Sequence, residues 1–177
     1  MKLETERLII CPIGINHVSD VFEYRSDAVT NKYQGWIPET TEDVEVFIRK
    51  SATAINEPES WFQLVMEEKK LNRVIGDIGL HFFGKENQQV EIGFTLHKDF
   101  QQKGYATEAI EKVIGFLFRD LKKHRIIASV DPENISSIRL LERLKFRKEA
   151  HFRKSLFWKG GWVDDVIYAL LGTDRQI

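Results

Sequence analysis

Apolar residues along this chain switch between two spacings, and each switch marks an element. In Val90-Glu-Ile-Gly-Phe-Thr-Leu96 every second residue is apolar, so Val90, Ile92, Phe94 and Leu96 share one face of a strand. From Ala106 the period lengthens, and Ala106, Ile110, Val113 and Leu117 trace one side of a helix. Alternating or short apolar runs predict further strands at Arg7 to Cys11, Trp61 to Met66, Val74 to Phe83, Ile126 to Val130, Phe146 to Phe157 and Trp162 to Leu171. Polar turns around Lys69 to Asn72 and at Lys159-Gly-Gly161 join two of the pairs. Val18, Val21, Phe22 and Arg25 form a short helical stripe. A second helix opens on the capping pattern Thr40-x-x-Asp43, uses Val44, Phe47, Ile48 and Ile55 as its apolar side, and breaks at Glu57-Pro58-Glu59. A last helix starts at Asp131-Pro-Glu-Asn134 and carries Ile138, Leu141 and Leu144.

The order strand–turn–helix–strand–helix in the middle permits a crossover between parallel strands, while the hairpins before and after it pair antiparallel. The pattern therefore predicts an α+β (mixed α/β) fold: a mixed sheet of seven strands with about four helices. With no linker, repeat or low-complexity tract, residues 1–177 read as a single domain. Gly115 inside the long helix costs roughly 1 kcal/mol against alanine, which close packing on the sheet would explain.

Composition adds exclusions. A formal charge of −1 gives no bulk attraction to nucleic acid or to an anionic membrane surface. The basic run Arg119, Lys122, Lys123, His124 and Arg125 falls where the long helix ends, so it reads as cations complementing the helix dipole. No apolar run spans a bilayer, and Met1 to Arg7 has no signal-type apolar core. A lone Cys11 in Leu8-Ile-Ile-Cys11 reads as a strand residue in a reducing, cytoplasmic setting. His81, His97, His124 and His151 have no metal-ligand spacing, so no metal is expected.

Chemistry points to Gln101-Gln-Lys-Gly-Tyr-Ala106. Gly104 and Ala106 keep the start of the long helix free of bulk, and the first amides of a helix lack intrahelical acceptors at its positive end. An anion such as a phosphate fits there; a ligand-free structural turn is the alternative. A P-loop is excluded, because no Gly-Lys-Ser/Thr follows.

These residues resemble a known family. Gln101-x-x-Gly104-x-Ala106 is similar to the (Arg/Gln)-x-x-Gly-x-(Gly/Ala) motif of the GCN5-related N-acetyltransferase (GNAT) superfamily. Glu91-Ile-Gly-Phe94, Gly104-Tyr-Ala-Thr-Glu-Ala109, Asn134-x-x-Ser137, Leu141-Glu142 and Leu144-x-Phe146 look like the RimJ/RimL-type ribosomal-protein alanine acetyltransferase branch. The opening Thr5-Glu-Arg-Leu8 and the closing Gly161-x-x-Asp164-x-x-x-Tyr168 are similar to it too, so the resemblance runs in order along nearly the whole chain.

The resemblance implies a mostly antiparallel sheet with a splayed parallel strand pair, and acetyl-CoA as co-substrate. The backbone of Phe94, Thr95 and Leu96 would pair with the cofactor's amide arm. The diphosphate would sit on Gln101, Gln102, Lys103, Gly104, Tyr105, Ala106 and Thr107, and Asn134 would reach the arm. Glu91 would be the base, the alternative being a solvated or hydrogen-bonded strand carboxylate. The family's helix tyrosine, an acid toward the departing thiol, is matched here by Leu141, which cannot donate. Ser137 is the nearest hydroxyl on that helix; bonding to the backbone is its other reading. Lys145 stands where the family has a glycine with positive φ, so the helix before it is expected to end differently. Trp36 would face the acceptor or pack in the core, and Asp164 would face the acceptor or cap a turn. Homodimers are common in the family.

Two amine classes are open as acceptor. At pH 7 a lysine amine is less than about 0.1% neutral, whereas an α-amine is roughly 10–15% neutral. That gap of about 2.6 pKa units, roughly 3.5 kcal/mol, favours a protein N-terminus over a small amine such as a polyamine, amino acid or antibiotic. A CoA-binding sensor without turnover is the reading from another class, supported by the missing tyrosine at Leu141.

Overall fold

The alternating runs become one sheet, described with the rest of the chain over residues 1–174 of a computed structural model. Its strands are β1 (Leu3–Glu4), β2 (Leu8–Pro12), β3 (Ser60–Glu68), β4 (Arg73–Phe83), β5 (Gln89–Leu96), β6 (Arg125–Val130), β7 (Arg147–Trp158) and β8 (Gly161–Leu171). Among the described residues the helices are α1 (Val18–Arg25), α2 (Thr41–Lys50), α3 (Tyr105–Arg119) and α4 (Ile135–Arg143). The eight strands lie in the order β1-β2-β3-β4-β5-β6-β8-β7. The strand beyond the expected seven is β1, whose two residues are too few for an alternation to show.

The parallel pair is β5 with β6, as a helical crossover through α3 requires. It pairs over three positions, Gln89 with Arg125, Val90 with Ile126 and Glu91 with Ile127. Beyond them β5 stays with β4 as far as Leu96, and β6 stays with β8 as far as Val130. The sheet thus opens into a V after Glu91.

Alternation divides the packing between two faces. Leu64, Met66 and Ile75 belong to the main core with Ile110, Val113, Ile114 and Leu117 of α3, whereas Val65 and Val74 join Val21 and Tyr24 of α1 and Val44 of α2. Each such buried aliphatic contributes roughly 1.5–3 kcal/mol. A buried ion pair pins α1 to β4: Arg25 Nε donates to Asp77 Oδ2 at 2.8 Å and the Tyr24 hydroxyl donates to the same oxygen at 2.7 Å.

Four local expectations are corrected. Helix α2 stops at Lys50 because the Ala52 amide turns away to bond the Trp61 carbonyl at 2.9 Å, so Ile55 lies outside it and packs on the main core. Gly115 does not meet the sheet: the three atoms nearest an added Cβ all belong to the Arg119 guanidinium. Of the basic run, Arg119 does sit in the last turn of α3. Lys123 instead is buried, donates to Asn56 Oδ1 and the Asn87 carbonyl, and has its pKa lowered by desolvation. Finally, α4 ends as it would with glycine. Lys145 adopts φ +71°, its amide bonds the Glu142 carbonyl, and the Phe146 amide bonds the Leu141 carbonyl, both at 3.0 Å. Among the described residues no helix is long and apolar enough to cross a membrane.

Candidate active site

The start of α3 forms one wall of the site. Gly104 caps the helix at φ +83°, a left-handed conformation that suits glycine. The Glu108 amide makes a helical bond to the Gly104 carbonyl at 3.0 Å, so Tyr105, Ala106 and Thr107 precede it with amides that have no intrahelical acceptor. Gln101 closes the preceding turn, its own amide bonding the Lys98 carbonyl at 3.2 Å. Gln102 turns the chain at φ +60°. Thr107 accepts from Arg143 of α4 at 3.3 Å.

The open edge of β5 forms the second wall. Backbone groups of successive strand residues point to opposite sides. Gln34 Nε2 reaches the Phe94 carbonyl at 3.1 Å and Gln101 Nε2 reaches the Leu96 carbonyl at 3.0 Å, which sets Phe94 and Leu96 toward the gap. The His97 amide bonds the Ile75 carbonyl of β4 at 2.8 Å, so by alternation the Thr95 backbone also faces β4 and away from the gap, and its buried hydroxyl has no partner. Of the three residues expected to meet the cofactor's arm, two are therefore presented and one is not.

A cleft opens along the second wall, with no lining residue from α3. Tyr33 and Gln34 line it from the α1–α2 connection, Ile92, Gly93 and Phe94 from β5, residues 128–131 from the end of β6, and Asn134, Ser137 and Leu141 from α4. Asn134 caps α4, its Oδ1 accepting from the Ser137 amide at 3.2 Å, which leaves the NH2 end of its side chain for the cleft. Ser137 and Leu141 follow one helical turn apart, so the expected serine and the leucine in the tyrosine's place both face the same space. A Cβ added at Gly93 would have no atom within 4 Å, so the floor is open there. Tyr33 is a cleft-lining residue that sequence reasoning missed; nothing in its local pattern sets it apart.

Glu91 occupies the last paired position before the sheet parts. Burial raises its pKa; His81, with Nδ1 4.0 Å away, opposes this, and Asp165 adds to it. Such a carboxyl holds a proton more readily than an exposed one, which suits a base. Asp165, not Asp164, is the acid directed to this side, and it accepts from Ser129 Oγ at 2.7 Å. Asp164 takes the turn-capping role: it bonds His151 Nε2 at 2.7 Å and accepts from the Lys154 amide at 3.0 Å, where β7 bulges between Phe152 and Leu156. Trp36 stacks on Phe47 with centroids 4.5 Å apart and packs in the α1–α2 core, so its ring is not part of the cleft lining.

Among the described residues one group of potential metal ligands converges, Cys11, His17 and Glu67, outside the cleft. Its hydrogen bonds are already satisfied. His17 Nδ1 accepts from the Gly14 amide at 3.0 Å, so Nε2 carries the proton and faces Glu67 at 3.2 Å. Cys11 lies 3.5 Å from the same carboxylate, and burial followed by that charge pushes its thiol up to about 11.

A sheet parted beside a helix start that offers bare amides suits an extended ligand with an anionic group. The chain belongs to the GNAT acetyltransferase family: residues 7–147 match the family described as Acetyltransferase (GNAT) domain. It is 33% identical over 175 residues to the uncharacterized N-acetyltransferase YnaD of Bacillus subtilis, covering 97% of each chain. A GNAT-family acetyltransferase structure from Bacillus anthracis superposes with a TM-score of 0.88 at 31% identity, over 98% of this chain and 99% of that one. The ribosomal protein uS5-alanine N-acetyltransferase of Escherichia coli is 36% identical over 83 residues, 47% of this chain and 43% of that one. The protein is thus an N-acetyltransferase of the GNAT type, and the site suits acetyl-CoA.

Proposed function

We propose that the protein acetylates the α-amine at a protein N-terminus, in the manner of the RimJ/RimL branch, with the donor and acceptor bound together. The observation that carries this is the parting of β5 from β6 directly after Glu91. It gives two substrates access to one point from opposite sides of the sheet. Bound acetyl-CoA supplies the thioester carbonyl that the amine attacks. Glu91 takes the proton from the incoming ammonium, directly or through a water. The amides of Tyr105 to Thr107 hold the diphosphate, Phe94, Leu96 and Asn134 hold the arm, and Ser137, with Tyr33 across the cleft, donates toward the departing sulfur. The N-terminal acceptor is supported by the partial match to the uS5-alanine enzyme and by the larger neutral fraction of an α-amine at pH 7. We place this single catalytic unit in the cytoplasm, where the Cys11 thiol stays free. For a homodimer, the exposed Phe152, Phe157 and Trp162 on the β7–β8 hairpin offer apolar surface to bury.

A thiol-release assay with acetyl-CoA tests the reading. Peptides with free N-termini are compared with N-blocked peptides bearing lysine, with polyamines and with amino acids. Turnover confined to free N-termini is expected. Turnover on small amines alone would move the assignment to them, and saturable CoA binding with no turnover would make the protein a sensor.

A further inference from the structure

The phosphate-binding turn is held from outside by a segment that touches no part of the cleft. Thr5 Oγ1 donates to Glu108 Oε1 at 2.6 Å, and the Arg7 amide donates to the same oxygen at 3.0 Å. Arg7 Nε and Nη2 both meet Glu108 Oε2 at 2.6 Å, while Nη1 donates to the Lys103 carbonyl at 2.9 Å. The guanidinium also lies 4.0 Å from the centre of the Tyr105 ring. Its Nη2 would stand 3.4 Å from a Cβ placed on Gly104. One side chain therefore touches or borders Lys103, Gly104, Tyr105 and Glu108, the stretch that presents the amides.

Glu108 poses an electrostatic problem that Arg7 answers. A carboxylate in the first turn of α3 is favoured by the helix dipole, yet it shares that turn with the amides proposed to take the diphosphate. Left unpaired, it would repel that anion. Pairing of two guanidinium nitrogens with one carboxylate oxygen cancels its charge and fixes its position, which an ammonium cannot do as well.

We propose that Arg7, seated by Thr5 and Glu108, is a positioning residue for the acyl donor, setting the 103–108 backbone and neutralising the carboxylate beside the diphosphate. This rests on the acetyl-CoA reading above. Its effect should depend on the diphosphate, whereas a purely structural weld would affect every donor alike. The test compares acetyl-CoA with S-acetylpantetheine, which lacks the diphosphate, or the inhibition constants of CoA and pantetheine where turnover is slow. In Arg7→Ala the KM for acetyl-CoA should rise about tenfold or more, as for a lost charge-assisted contact, with kcat changed less than about twofold. The kcat/KM for acetylpantetheine should stay the same. Arg7→Lys should recover part of the loss, and Thr5→Val should show a smaller shift in the same direction; these two decide the matter if Arg7→Ala does not fold. Equal losses with both donors, or an unchanged KM for acetyl-CoA, would overturn the proposal. Wild-type protein that neither binds CoA nor turns over would instead bring down the functional reading beneath it.

Discussion

As the proposed base, Glu91 ties chemistry and stability to one carboxyl. Glu91→Gln should lower kcat by about 10²–10⁴ and leave the KM for acetyl-CoA within about twofold. Because burial raises the folded-state pKa, the acid limb of the kcat/KM profile should lie above the ordinary carboxylate range and vanish in the variant. The folded protein holds this proton more tightly than the unfolded chain. Its contribution to stability is therefore present below the ordinary carboxylate pKa and lost as pH rises through the raised value. At neutral pH Glu91→Gln should accordingly melt at a higher temperature than wild type, and an unchanged melting point would contradict this. Some of the local geometry at this scale was legible: small residues at Gly104 and Ala106 mark the start of α3, and Asn134 opens α4 as Asp131-Pro-Glu-Asn134 predicts. What was not legible depends on contacts across the chain. Arg7 and Glu108 stand 101 positions apart. The choice of Asp165 over Asp164 turns on how β8 faces its neighbours and on a bulge in β7, which the residue pattern does not reveal.

At the scale of elements, burial overrides local preference. Lysine resists a positive φ, yet α4 ends with Lys145 in that region because Leu141, Leu144 and Phe146 are all buried around the turn. Lys145→Gly should therefore stabilise the protein by roughly 0.5–1 kcal/mol, read from denaturant midpoints at unchanged slope. The α1–β4 contact depends on charge instead. Asp77→Asn leaves the Arg25 guanidinium buried without its counter-charge, a change that costs about 3–5 kcal/mol in comparable pairs. Loss of less than about 1 kcal/mol would show that water reaches the pair. Strand and helix identities followed from period alone. The end of α2 did not, because the bond from Ala52 to Trp61 joins segments that only the folded sheet brings together.

For the whole molecule, the hydrophobic period conveys the succession of elements along the chain and the crossover, but not the place of β8 between β6 and β7. The length over which β5 and β6 stay together is different. It is shared by two strands with α3 between them in the chain, so no single segment encodes it. Across that gap, Gln34 bonds the Phe94 carbonyl, and its loop is tied to the far hairpin, where Lys159 Nζ donates to the Lys32 carbonyl at 2.9 Å. An added Cβ on neighbouring Gly35 would stand 3.1 Å from the Trp158 ring. The thioester arm proposed to lie along β5 would share or displace the glutamine and so act on the loop that carries it. The two substrates should therefore arrive in a fixed sequence, donor before amine. Initial-rate patterns should show CoA competing with acetyl-CoA but not with the peptide, and Gln34→Ala should loosen the sequence toward random entry. Peptide binding equally well with and without CoA would show that the two entrances do not communicate.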